Sequence, residues 1–397
     1  MLKPSERIAH LTESQTIMMS RMSRELIAQG KDIINLSLGE PDFDTPQHIK
    51  DAAKKAIDEG YTHYPPISGY PDLRQAISDK FKNENGLDFK ANQIVVSTGA
   101  KQSIANAILC LINPGDEIIL TKPYWVSYIE LIKLAEGVPV FIETSIENDF
   151  KANVLEIEKV ITDKTKMFIF SSPCNPTGSV YTKTELEEMA NLFAKHPNMF
   201  VLSDEIYEHI NFMGSHESIG QFGAIKDQLI VINGVSKGYA MTGWRIGYMG
   251  APKWIAQACD KMQGQITSGA CSISQKAAKA ALTYHNGPTI EMRNAFLRRR
   301  DLLLELLKDI PGVRTNVPQG AFYLFPDISY YFGKSDGEKV IQNASDLCMY
   351  LMYNALVSVV PGEAFGAPAC IRFSYAAADE VLIEAVKRIK NALVQLK

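Results

Sequence analysis

Val231-Ile-Asn-Gly-Val-Ser-Lys237-Gly-Tyr-Ala-Met-Thr-Gly-Trp-Arg245-Ile-Gly247 is the stretch on which the fold turns. It leaves a strand-like apolar run, Leu229–Asn233, passes a lysine set among small and apolar residues, and enters a second strand pattern, Arg245–Gly250. Five more runs rich in β-branched and aromatic residues precede it: Ile94–Ser97, Glu117–Thr121, Val138–Glu143, Met167–Ser171 and Met199–Ser203. Several are apolar at consecutive positions, as strands buried on both faces must be, and helical patterns at 101–112, 124–135, 154–162 and 183–195 lie between them. The expectation is an α/β fold with a mostly parallel seven-stranded sheet flanked by helices.

Beyond residue 250 the texture changes. Helical patterns at 252–263 and 272–284 lead to a long amphipathic run, Thr289–Asp309, that would suit a hinge between lobes. Short strand patterns (Ala321–Pro326, Val357–Val360, Cys370–Tyr375) then mix with helical ones (Asn343–Asn354, Asp379–Gln395), giving a smaller α+β domain. The first 47 residues are too few to fold alone and turn at Pro41 and Pro46, so they are expected to pack on that smaller part. The expected division is 1–47 with the small domain, 48–287 as the large domain, and 288–397 as the small C-terminal domain. No internal repeat is visible.

With 397 residues the chain can build a substantial core, and 46% hydrophobic against 22% charged residues excludes a disordered chain. A net charge of −4 supplies no basic field for nucleic acid or anionic lipid. Cys110, Cys174, Cys259, Cys271, Cys348 and Cys370 are scattered without a CxxC pair, so neither a disulfide framework nor a metal is expected. The opening residues lack an apolar signal core and no run is long enough to cross a bilayer. A soluble, cytoplasmic protein without a membrane or nucleic-acid partner is expected.

Taken alone, a strand-end lysine such as Lys237 is more often a solvated turn residue, yet a desolvated one has a lowered pKa and a nucleophilic amine. Its surroundings favour the second reading. Ser203-Asp204-Glu-Ile-Tyr207 sets a carboxylate and a phenol at the end of another predicted strand, the edge where open α/β sheets bind ligands. Ser171-Ser-Pro-Cys-Asn175-Pro-Thr-Gly178 leaves a strand and turns, with Asn175 extended before proline; by itself Asn-Pro-Thr-Gly is simply a good turn. Thr98-Gly99-Ala100-Lys101-Gln102 opens a helix whose first N–H groups suit a phosphate, although any tight strand-to-helix turn welcomes glycine.

In this order and spacing the segments resemble the class I, fold-type I, pyridoxal-phosphate-dependent aminotransferases. The resemblance runs from Leu36-Ser-Leu-Gly39-Glu-Pro-Asp-Phe43 to Ile371-Arg372-Phe-Ser-Tyr375, nearly the whole chain, and its most specific segment is Ser236-Lys237-x-x-x-Met241-Thr-Gly-Trp-Arg245-Ile-Gly247. It implies a Schiff base between Lys237 and the cofactor aldehyde, with Lys237 also moving the proton. It implies that Asp204 keeps the pyridine nitrogen protonated, that Tyr207 and Asn175 bond the cofactor phenol oxygen, and that Trp125 stacks on the ring. For the phosphate it implies Gly99, Ala100, Lys101, Ser236 and Arg245, with Tyr64 reaching across from a second subunit of a homodimer; as an alternative, Tyr64 is an ordinary core or interface aromatic. Many relatives carry serine where this chain has Gly234. Arg372 would bind the substrate α-carboxylate in a bidentate fork, with the Gly39 backbone beside it and Trp125 and Asn175 lining the same subsite.

The subgroup that shares Ser14-x-Thr16 and Lys101 points to an acidic substrate, Lys101 meeting its distal carboxylate. The expected reaction is ping-pong transfer between aspartate and 2-oxoglutarate. Alternatives are aromatic, prephenate or broad specificity, and a β-eliminating lyase, which would keep Lys237, Asp204 and Arg372. A non-catalytic regulator is disfavoured because no basic helix-turn-helix pattern precedes the main domain.

Overall fold

A computed structural model describes residues 3–284 and 286–397. Its centre is a seven-stranded sheet in the order Ile94–Ser97, Gly247–Gly250, Leu229–Gly234, Phe200–Asp204, Thr165–Ser171, Glu117–Lys122 and Val138–Glu143. Neighbouring strands are parallel except around Gly247–Gly250, which runs against both of its neighbours. All seven sequence runs are therefore in one sheet, and the fold is α/β as expected.

The consecutive apolar residues are explained by burial on both faces. Along one strand Leu229 and Val231 enter one apolar cluster while Ile230 and Ile232 enter the opposite one. The first cluster is closed by Leu186, Phe193 and Ala277 from helices Lys183–Ala194 and Ser272–Thr283; the second by Ile104, Ile108 and Ile255 from helices Ala100–Leu111 and Lys253–Ile266. A third cluster joins Phe296 and Leu303 of helix Gly287–Leu307 to Leu347 of helix Ala344–Tyr350 and Leu382 and Ile389 of helix Asp379–Leu393. Met19 and Leu36 from the start of the chain pack into it, and Ile34–Asn35 pairs in parallel with Val357–Ser358.

Some local expectations shift. The predicted strand at 321–326 shortens to Tyr323–Leu324, and the predicted helix at 343–354 widens into a π turn over Leu351–Ala355. Helices Gln15–Ala28, Gln47–Asp58 and Pro71–Asn85 have no counterpart in the sequence reading. The last had legible ends: proline in its first turn and Gly86 as a left-handed cap at φ 70°.

What matters for function is one edge of the sheet. Parallel strands all finish there, delivering Gly99, Trp125, Asn175, Asp204 and Lys237 just at or beyond their carboxyl ends. The reversed strand begins at that same edge, so Arg245 arrives from the opposite chain direction. Gly234 belongs to this geometry, since a Cβ there would lie 2.9 Å from the Gly247 Cα and from the Ile246 carbonyl oxygen. Serine at this position would collide with the neighbouring strand.

Candidate active site

A cavity of about 300 Å³ opens at this edge. Lys237, Asp204, Tyr207, Asn175, Trp125, Ala100, Lys101, Ser236, Arg245, Gly39 and Arg372 all line it. Gly99 stands just behind the wall with φ 82°, and a Cβ there would run into the Arg245 guanidinium. Tyr64 is outside the cavity, 92% exposed on this chain.

The Lys237 amine donates to the Gly39 carbonyl. Burial, with the positive charge of Arg372 next, lowers its pKa to about 8. Half of the amines are then neutral near pH 8, where an ordinary lysine would be almost wholly protonated. The sequence reading expected a desolvated lysine with a lowered pKa at this position, and burial produces that lowering.

Asp204 ends its strand almost fully enclosed. Its Oδ2 accepts from the Tyr128 hydroxyl at 2.7 Å and its Oδ1 from the Ile206 amide at 3.3 Å. Burial lifts its pKa to about 6 against these hydrogen bonds. Both partners are neutral, and among the described residues no cation is within ion-pair distance of it. A buried anion without a counter-ion suits a ligand that brings positive charge.

Arg372 is the mirror case. Its strand, Ile371–Ser374, pairs Phe373 with Leu324, and the guanidinium is buried. Nη1 donates to Asn175 Oδ1 at 2.9 Å and Nη2 to the Ser37 carbonyl at 2.7 Å, while Nε has no partner. The Tyr323 ring lies 4.5 Å below the guanidinium, and no carboxylate neutralises it among the described residues. An anionic ligand group would supply the missing partner.

Tyr207 shares a 2.7 Å hydrogen bond with Tyr323, whose hydroxyl also fills the space above Gly39 that a Cβ would need. Trp125 walls the opposite side, and the Lys101 ammonium lies 5.1 Å over its ring at the cavity rim. Burial, with Arg245's charge second, pushes the Lys101 pKa below the usual lysine value. Lys101, Lys237, Arg245 and Arg372 face only Asp204 and Glu40 across the lining, so the cavity is a positive well for multiply charged anions.

The sequence reading missed Tyr128 and Tyr323 as site residues. Tyr128 was legible as the residue one helical turn beyond Trp125; Tyr323 depends on two distant strands pairing and had no local signal. Ser14 and Thr16, noted as a subgroup mark, also reach the wall, where the Thr16 hydroxyl is buried without a partner.

Comparison with known proteins agrees with this geometry. Residues 31–389 match the family described as aminotransferase class I and II. The chain is 47% identical over 398 residues to a bifunctional aspartate aminotransferase and glutamate/aspartate-prephenate aminotransferase of Petunia hybrida, covering 99% of this chain and 83% of that one. It is 44% identical to an aspartate/prephenate aminotransferase of Nitrosomonas europaea, covering 99% and 100%. Among solved structures, an aspartate aminotransferase from Rhizobium meliloti superposes with a TM-score of 0.96 at 39% identity, covering all of both chains. One from Thermus thermophilus, solved with maleate, superposes with a TM-score of 0.93 at 38% identity over 99% of this chain and 100% of that one. With a matching family over most of its length and relatives of the same extent, the chain is an aminotransferase and belongs to the class I and II family.

Proposed function

We propose that the chain is a pyridoxal 5'-phosphate-dependent aminotransferase that carries an amino group from aspartate to 2-oxoglutarate in two half-reactions at one site. The observation that carries this reading is the facing pair of uncompensated buried charges: Asp204 without a cation and Arg372 without an anion, with the Lys237 amine sharing their cavity. When bound, pyridoxal phosphate supplies an aldehyde for the amino group and a ring that draws electrons from the substrate Cα.

The chain's own residues do the rest. Asp204 holds a proton on the pyridine nitrogen. Gly99, Ala100, Ser236 and Arg245 would hold the phosphate at the start of helix Ala100–Leu111, where free N–H groups and the helix dipole favour an anion. Trp125 would pack on the ring, and Tyr207 and Asn175 would hydrogen-bond its phenol oxygen. Arg372 orients the α-carboxylate, and Lys237 Nζ takes the proton from Cα and returns one in the second half-reaction. In this reading residues 48–287 hold the cofactor while 1–47 and 288–397 bring Gly39 and Arg372 to the substrate. Tyr64, exposed on one chain, reaches the phosphate of a partner subunit in a cytoplasmic homodimer.

Aspartate follows from Lys101, a rim cation without a carboxylate partner among the described residues. The maleate in the Thermus structure is likewise a dicarboxylate. Prephenate is the second reading, favoured by the names of the Petunia and Nitrosomonas relatives. A donor screen against 2-oxoglutarate and oxaloacetate, with prephenate as an alternative acceptor, separates the two; pyruvate and ammonia as products would instead indicate a β-eliminating lyase.

Lys101 gives a sharper test. A charge-assisted hydrogen bond contributes about 1.5–3 kcal/mol, so Lys101→Ala lowers kcat/KM for aspartate roughly 10- to 150-fold. Alanine and phenylalanine as donors change far less, because only a dicarboxylic donor offers a second carboxylate. Equal loss for every donor would place Lys101 in the phosphate site or in local folding.

A further inference from the structure

We propose that Tyr128 is a positioning residue for Asp204, whose hydroxyl holds the carboxylate ionised and aimed into the cavity and so sets the acid limit of the pH range in which the enzyme works. This rests on the function proposed above. Neither the sequence reading nor the resemblance gives Tyr128 a role.

The geometry begins with a helix. Val126–Leu134 starts immediately after Trp125, and the Tyr128 amide closes back on the Trp125 carbonyl at 2.9 Å. One turn thus brings both rings to the cavity, edge to face at 5.3 Å. Trp125 faces the ligand space, while Tyr128 passes beneath it to Asp204 Oδ2 at 2.7 Å. Tyr128 is 2% and Asp204 5% exposed, so water does not readily replace this bond.

Other titratable groups around Asp204 cannot substitute for it. Glu205, adjacent in sequence, is turned away and occupied by the hydroxyls of Ser203 at 2.9 Å and Ser218 at 2.6 Å and by His216 at 3.0 Å. Its negative charge raises the Asp204 pKa, whereas the positive charge of Lys237 lowers it. Cys174, from the turn after the neighbouring strand, has its thiol pushed up to about 11 by burial and stays protonated. Tyr207 is held well above the usual phenol value by burial and is engaged with Tyr323. Tyr128 is held up by burial in the same way, with the Asp204 charge second, so it stays a donor throughout the working pH range. Without its hydroxyl the carboxylate keeps only the Ile206 amide at 3.3 Å.

Tyr128→Phe keeps the ring and its packing against Trp125 and removes only the donor. A charge-assisted hydrogen bond corresponds to about 1–2 pH units, so the Asp204 midpoint rises from about 6 by that amount. Two measurements on the full chain decide the matter. In cofactor-free protein labelled with ¹³C at aspartate carboxyls, the resonance absent from Asp204→Asn is titrated with and without Tyr128→Phe. In the holoenzyme, where a charged pyridine nitrogen pulls the midpoint down, the acid limb of kcat/KM moves up by about 1–2 pH units in Tyr128→Phe, so the ratio of the rate on that limb to the rate at pH 9 falls, and the same substitution added to Asp204→Asn leaves the ratio unmoved. An unshifted carboxyl midpoint overturns the proposal, as does a shifted midpoint with an unchanged rate ratio. If the native protein transaminates no donor, the functional reading fails, while the carboxyl titration still decides what Tyr128 does to Asp204.

Discussion

Lys237→Ala lowers turnover with every amino donor by at least ~10⁴-fold, the upper range for loss of a positioned general base, and here the covalent anchor goes as well. No other lining residue offers the same chemistry. Lys101, the second amine, is at the rim over Trp125, and the guanidinium groups of Arg245 and Arg372 are hydrogen-bond donors without an acceptor lone pair. Lys237→Arg should therefore be as inactive as the alanine variant, because a guanidinium keeps the positive charge but does not accept the Cα proton. Single-turnover mixing of each variant with aspartate measures this directly. A rate within ~10²-fold of the native enzyme in either variant would give the proton transfer to another group.

Asp204→Asn separates function from stability. Opposite a charged pyridine nitrogen, loss of the carboxylate charge leaves a buried cation unpaired, a loss of about 3–5 kcal/mol, so kcat falls roughly 10²- to 10⁴-fold. The cofactor-free fold responds in the other direction. Its Asp204 pKa of about 6 lies above the ordinary 3.8, so as pH rises the unfolded chain releases this proton first. Stability is therefore lost between those two values, and the full cost, roughly 3 kcal/mol, persists at higher pH. Asparagine is never ionised. At pH 8 the cofactor-free variant should melt above the native protein, and at pH 4 the difference should vanish. Denaturation of both proteins at the two pH values checks this, and a variant that melts lower at pH 8 would mean that the Tyr128 and Ile206 hydrogen bonds outweigh the burial of charge.

The contrast between what was legible and what was not has a physical origin. The seven sheet strands were readable because both faces are buried, which forces runs such as Leu229–Asn233 to be apolar throughout. Lys237, Asp204, Asn175 and Arg245 were readable because the sheet brings strand ends to one edge, so sequence position near a strand end stands in for spatial position. Arg372 came from resemblance, and only the packing explains it: the rings of Tyr323, 49 residues earlier in the chain, and Phe365 lie 4.5 and 5.0 Å from its guanidinium. The first long helix escaped notice for another reason. Gln15–Ala28 carries serine and methionine through its buried face, Met19, Ser20 and Ser23, so the apolar stripe that marks most helices is faint. The uncompensated charges on Asp204 and Arg372 were not legible at all, because being unpaired is a property of every neighbour at once.

Covalent anchoring is tested most directly by reducing the pyridoxal-phosphate-loaded enzyme with borohydride, digesting it and mapping the adduct by mass spectrometry. One cofactor-derived adduct per chain, confined to the peptide that carries Lys237 and absent from Lys237→Ala, is the expected result. An adduct on Lys101, or an active enzyme that yields none, would contradict the assignment of Lys237.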